Sequence, residues 1–189
     1  MGEADKREAI LEAALSLFVE RGFHGTAVPL IAERAQVGAG TIYRYFESKE
    51  TLVNELYREL KRSLASHVGE DFPTSGSPRE QFHAFWARMV EWATKNPEAF
   101  AFLEFHSHDY LDRSSRKVGR QGRDTGLRMI EYAQEHHALK EAPPLLLVGI
   151  VLGILQGVMR VKWEAQGGLA VSDEDLSLAE QCAWEAIRV

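Results

Sequence analysis

The chain has 189 residues, 45% of them hydrophobic, which suits one medium domain or a small domain fused to a larger one and is enough for a real core. With 22 basic and 28 acidic side chains the formal charge is −6, which excludes a basic coat protein holding nucleic acid by bulk charge; any nucleic-acid contact has to be local. The single cysteine, Cys182, cannot form an intrachain disulfide and the opening MGEADKREA has no apolar signal segment, so a cytoplasmic protein is expected.

Strand signals are nearly absent and apolar residues recur at helical spacing, so the chain reads as all-α with about nine helices. A first helix starts near Asp5, with Glu8 as capping-box partner, carries Ile10, Ala14, Leu17 and Phe18 on one face, and ends at Gly22. Thr26 is the expected N-cap of a short second helix, whose first turn tolerates Pro29 because that backbone N–H has no intrahelical acceptor. A turn at Gln36 and Val37 leads to a third short helix over about 38–46. Ser48 then caps a fourth, with Leu52, Leu56, Leu60 and Leu64 at every fourth position. The Gly-, Pro- and Ser-rich stretch 68–78 reads as a loop.

Further helices are expected over about 79–95, 97–107, 112–137, 144–166 and 173–188. The breaks fall at Asn96-Pro97, His108-Asp109, Pro143-Pro144 and Gly167-Gly168, and Ser172 with Asp175 caps the last helix. The apolar run 142–155 is short for a bilayer and is followed by Gln156, Arg160 and Lys162, so no membrane span is expected. The expected organisation is a three-helix unit over 1–47, a connecting helix over 48–66 and a larger helical body over 67–189.

Residues 26–49, TAVPLIAERAQVGAGTIYRYFESK, fit a helix-turn-helix, in which the second helix enters the DNA major groove. Ile42 and Phe46, four apart, face a core with Ala32 and Val37, which turns Thr41, Tyr43, Arg44 and Tyr45 outward. Tyrosine hydroxyls bond phosphate oxygens, and arginine pairs with a guanine edge in bidentate fashion. Gly38, Ala39 and Gly40 leave helix-start N–H groups uncovered, so a phosphate can approach. An ordinary packed helical pair with tyrosines on its rim is the alternative.

These first fifty residues resemble the DNA-binding domain of the TetR family of transcriptional regulators. The resemblance is carried by Gly22-Phe23, Thr26, Ile31-Ala32, Val37, the run Gly40-Thr41-Ile42-Tyr43-Arg44-Tyr45-Phe46, and Ser48-Lys49-Glu50. It implies a homodimeric repressor that binds double-stranded DNA at a palindromic operator and releases it when a small-molecule inducer enters the larger domain. By position it implies DNA contacts from Thr41, Tyr43, Arg44, Tyr45 and Lys49, with Thr26 at the start of the second helix. Three residues depart from the family pattern. Pro29 stands where a basic or polar phosphate contact is frequent. Gln36 replaces a common glycine, at about 1 kcal/mol if the backbone needs φ > 0. Gly38 replaces a common serine cap, a loss of roughly a few tenths of a kcal/mol. Base reading then rests mainly on Arg44 and Thr41, with Ala39 near a thymine methyl.

In the body, Phe82, Phe85, Trp86 and Met89 have helical core spacing, and dense packing explains most of its aromatics. The family resemblance places a ligand pocket there, with Phe85, Trp86, Met89, Phe102, Phe105, His106, Met129, Tyr132, Met159 and Trp163 as its expected lining and a lipophilic or aromatic ligand as its occupant. Glu104, His106, His108 and Asp109 hold metal-ligating atoms, but His106 and His108 are two apart and share no helical face, so no metal site and no cofactor are expected. Arg113, Arg116, Lys117, Arg120 and Arg123 make a basic stripe, read as a solvated face, with an anionic ligand group or an acidic partner surface bound there as the alternative. Gly119, Gly122 and Gly126 weaken that helix and mark either a mobile element or a loop. Gly149, Gly153 and Gly157 recur every fourth residue and admit a close helix neighbour. The resemblance implies a dimer interface from the last two helices, assigned to Gly153, Gly157, Leu176, Ala179, Ala183 and Ile187; intramolecular packing of the glycines is the alternative. There is no nucleophile with an evident base and no phosphate-cradling loop, so the chain is not read as an enzyme. The competing functions are a helical small-molecule carrier or enzyme without DNA binding, and a structural nucleoid-type DNA binder without a ligand.

Overall fold

The computed structural model describes residues 3–106, 109–166 and 171–189; the expected breaks at His108 and at Gly167-Gly168 lie outside them. Ten α-helices are present among the described residues: α1 (Glu3–Gly25), α2 (Val28–Arg34), α3 (Ala39–Tyr45), α4 (Lys49–Gly69), α5 (Pro78–Lys95), α6 (Pro97–Phe105), α7 (Arg113–Gln121), α8 (Asp124–Glu135), α9 (Pro144–Gln166) and α10 (Asp173–Ile187). The all-α reading holds, but the stretch read as one helix over 112–137 is two. The chain turns between them, with the Arg123 N–H bonded to the Arg120 carbonyl at 3.1 Å. Gly119 and Gly126 serve packing. A Cβ on Gly119 would lie 2.6 Å from the Tyr57 hydroxyl, and one on Gly126 would lie 3.1 Å from the Phe85 ring.

Helix boundaries follow local chemistry. The Ser48 hydroxyl accepts from the Thr51 N–H at 3.1 Å, Ser77 and Glu80 form a capping box, and Ser172 accepts from the Asp175 N–H. α1 already includes Glu3, so Asp5 is not its cap; Gly22, with φ +69°, kinks it near its end.

The chain forms two compact units, residues 1–62 with 98–119, and residues 63–97 with 120–189. The expected boundaries placed all of 67–189 in one body. In the first unit Ile10, Leu17, Phe18, Ile31, Ile42, Phe46 and Leu52 are fully buried and form the common core of α1 to α4. Arg7 braces it, bonding Glu55 at 2.7 Å and also Glu59 while its guanidinium lies 5.5 Å from the Phe46 ring centre. Residues 98–119 join this unit through polar bonds. The buried Asn54 amide donates to the Tyr110 carbonyl at 3.2 Å and accepts from the Asp112 N–H at 2.9 Å, and Lys61 pairs with Glu104 at 2.8 Å.

In the second unit α9 packs on α8 and α10, and α5 on α8 and α10. Glu180, buried on α10, takes hydrogen bonds from Arg79 at 2.6 Å and from His83 at 3.0 Å, both on α5. The Lys140 N–H donates to the Ile187 carbonyl at 2.9 Å, tying the end of the chain to the turn before α9. By length and composition Pro144–Glu164 is apolar enough to cross a membrane, with a hydropathy of 2.0 and 28% of its most apolar window buried. The run 142–155 understated it, because the apolar character resumes past Gln156.

Candidate nucleic-acid interface

α2 and α3 form the expected helix-turn-helix. The Val37 N–H closes the turn on the Ala32 carbonyl at 2.9 Å, and Gln36 has φ +55°, the left-handed conformation that a glycine would take without strain. Gly38 is the N-cap of α3, extended at φ −69° and ψ 143° and without a side-chain bond. Ile42 and Phe46 anchor the helix in the core. Ala39, Gly40, Tyr43 and Arg44 are exposed, and Thr41 and Tyr45 are half-buried on the flanks.

This outward face carries its own polar contacts. Arg44 bonds a Glu3 carboxylate oxygen at 2.6 Å, and the Tyr45 hydroxyl donates to the Glu3 carbonyl at 3.0 Å. No local pattern in the sequence pointed to Glu3, because the contact joins residues 41 and 42 apart.

The expected cap at Thr26 is corrected, and Thr26 and Lys49 both make contacts within the fold. Thr26 is not the cap of α2, a place held by Ala27 without a side-chain bond. It is fully buried, and its hydroxyl donates to the carbonyls of Gly22 at 2.8 Å and Leu17 at 3.1 Å, because the kink at Gly22 folds the chain back over α1. Lys49 turns inward as well. Its ammonium bonds the carbonyls of Phe23 and Thr26, both at 2.9 Å, and lies 4.2 Å from the Phe23 ring centre. Both side chains brace the segment that leads into and out of the helix-turn-helix.

The expected ligand lining divides between the two units. Phe102 and His106 border a cleft of about 280 Å³ beside the α1 kink, with Phe18, Phe23 and Tyr110; burial raises the Tyr110 phenol pKa. Phe105 packs edge-on against Phe100. In the second unit Met129 and Tyr132 border a cleft of about 210 Å³. Phe85, Trp86, Met89 and Met159 are buried there, and Trp163 is half-buried.

At the expected interface, a Cβ on Gly149, Gly153 or Gly157 would meet nothing within 4 Å, so these glycines are not explained by packing inside the protomer. Leu146, Ile150 and Val161 are exposed on α9, and Leu178 and Cys182 on α10. Ala179, Ala183 and Ile187 are corrected: they lie in the protomer core, on the side of α10 opposite its exposed face, while Leu176 is half-buried. Among the described residues no group of three His, Cys, Asp or Glu side chains could hold a metal; His108 lies outside them. On the basic stripe, Arg113, Lys117, Arg120 and Arg123 are exposed, and Arg116 bonds the Leu111 carbonyl at 2.9 Å.

Residues 10–56 match the family model for bacterial regulatory proteins of the tetR family, and residues 57–189 match that for the tetracyclin repressor-like C-terminal domain. The HTH-type transcriptional repressor KstR2 of Mycolicibacterium smegmatis is 25% identical over 175 residues, covering 87% of this chain and 82% of that protein. The HTH-type transcriptional regulator YhgD of Bacillus subtilis is 35% identical over 88 residues, 47% of this chain, and the match spans about half of its length, 46%. A crystal structure of a tetR family transcription regulator from Shewanella sp. PV-4 superposes with a TM-score of 0.80 at 28% identity, over 97% of this chain and 98% of the other.

Proposed function

The chain belongs to the TetR family of bacterial regulatory proteins, ligand-responsive DNA-binding regulators of transcription, and we propose that it acts in the cytoplasm as a homodimeric repressor of a palindromic operator. The observation that carries this is the outward face of α3, where Ala39, Gly40, Tyr43 and Arg44 are exposed above a helix anchored by Ile42 and Phe46. Arg44 reads a base edge, Thr41 and Ala39 lie close to the groove floor, and Tyr43, Tyr45 and the small residues Gly38 and Gly40 meet the backbone. The exposed face of α9 around Gly149, Gly153 and Gly157, with Leu178 and Cys182 of α10, meets its copy in the dimer. A small lipophilic or aromatic molecule bound in the C-terminal unit releases the operator.

Selection of bound sequences from a random DNA pool tests the reading, because half-site spacing also reports the dimer. Arg44→Ala weakens binding to the selected operator by about 1–3 kcal/mol and relaxes preference at one base pair. Unchanged affinity and preference, or failure to retain any DNA, refutes it and leaves the carrier or enzyme alternative.

A further inference from the structure

The loop between α4 and α5 is fastened at both ends. The Arg88 guanidinium donates to the carbonyls of His67 at 3.2 Å, Asp71 at 3.1 Å and Glu70, and the Tyr132 hydroxyl donates to the Gly76 carbonyl at 2.9 Å. Between these ties, Phe72, Pro73 and Thr74 form one wall of the cleft of about 210 Å³, facing Gln81 on α5 and Arg128, Met129 and Tyr132 on α8.

One polar group in that cleft is unsatisfied. Gln81 is only 3% exposed, and its amide nitrogen has no acceptor among the described residues. A buried donor in that state is costly enough that native proteins seldom keep one without a use. Beside it stands Arg128, an exposed cation whose guanidinium donates to the Thr125 hydroxyl at 3.4 Å. None of the residues lining the cleft is acidic, and the rest of the wall is the Phe72 and Tyr132 rings, Pro73, Thr74 and the Met129 thioether.

We propose that this cleft binds a small apolar carboxylate, whose oxygens accept from the Gln81 amide and pair with Arg128 while its body packs against Phe72, Met129 and Tyr132. The volume, below the roughly 300–1,000 Å³ of sites for drug-sized ligands, limits that body to one ring or a short chain. This deepens the regulator reading and rests on it for its consequence, that the acid is the inducer.

The test measures binding of hexanoate, phenylacetate, hexanamide and hexanoyl-CoA to the full chain by calorimetry, with operator affinity of the ligand-free protein taken separately by gel shift. At least one free acid binds and releases the operator, and hexanamide binds about tenfold or more weakly than hexanoate. Gln81→Leu loses about tenfold in acid affinity without a lower unfolding midpoint, since it removes an unsatisfied donor. Arg128→Gln loses about tenfold for hexanoate and leaves hexanamide unchanged; its exposed site keeps the test available if Gln81→Leu does not fold. Binding of hexanoyl-CoA alone, no acid binding at millimolar concentration, or wild-type acid affinity in both variants overturns the inference. If the operator is bound but no acid is, the carboxylate site alone fails; if no DNA is bound selectively, the regulator reading fails whatever the acids do.

Discussion

Thr26→Val separates a residue that touches DNA from one that supports the reading helix. The change keeps the shape of a fully buried side chain and removes a hydroxyl that donates to the carbonyls of Gly22 at 2.8 Å and Leu17 at 3.1 Å. Losing one buried hydrogen bond and stranding an acceptor costs about 1–2 kcal/mol. At roughly 2–4 °C per kcal/mol for a protein of this size, the unfolding midpoint falls by about 2–8 °C. Thermal unfolding followed by circular dichroism reads the shift. Fluorescence anisotropy with labelled operator, well below the midpoint, then shows an affinity within about twofold of wild type, because α3 still packs through Ile42 and Phe46. A loss of affinity of about tenfold or more with an unchanged midpoint would place Thr26 against DNA and refute the supporting role.

Gln36→Gly relieves a left-handed residue at φ +55° and raises stability by up to about 1 kcal/mol in urea titrations; a destabilised variant would show that the Gln36 side chain does more than tolerate the turn. Gly153→Leu meets open space inside the protomer and removes a helix-weakening glycine, so the fold is kept while sedimentation shows dissociation to monomers; a fully dimeric variant places the interface elsewhere. Several carboxylates are held below their usual pKa: Asp112 chiefly by the Ser115 N–H, Asp175 by Lys162 and Glu91 by Lys95. Their contribution is complete above the unfolded carboxylate range and is lost as pH falls through the folded values. The unfolding midpoint therefore drops below about pH 4, and Asp112→Asn makes that drop shallower.

Features set by neighbours in the chain were legible before the fold. Ile42 and Phe46 as anchors, the strain at Gln36, the cap at Gly38 and the caps at Ser48 and Ser172 each depend on a few consecutive residues. Thr26 was misread because threonine suits an N-cap by type, and only the kink at Gly22 aims its hydroxyl back at α1. On α10, periodicity groups Leu176, Ala179, Ala183 and Ile187 on one stripe but cannot tell an inward stripe from an outward one when the residues are small; packing turned it inward and left Leu178 and Cys182 outside. That Gln81 and Arg128 line one cleft was invisible, since the cleft needs a loop and two helices that only the folded chain assembles.

The acidic balance is reconciled with DNA binding by where the few cations go. Residues 1–50 hold six basic and eight acidic side chains, and several of the basic ones are committed to the fold. Arg7 braces Glu55 and Glu59, Arg34 pairs with Glu20, and Lys49 holds the end of α1 and the start of α2. Arg44 itself is paired with Glu3, but both partners are well exposed, at 61% and 78%, so that pair is worth at most about 1 kcal/mol. A guanine edge offering two hydrogen bonds, worth about 1–3 kcal/mol of discrimination, can displace it. A lone phosphate gains Arg44 only by giving up what Glu3 already supplies. The same acidic residue that lowers the net charge therefore taxes non-specific contact more than base-specific contact, and with few cations free to displace counterions, affinity should fall only gently as salt rises.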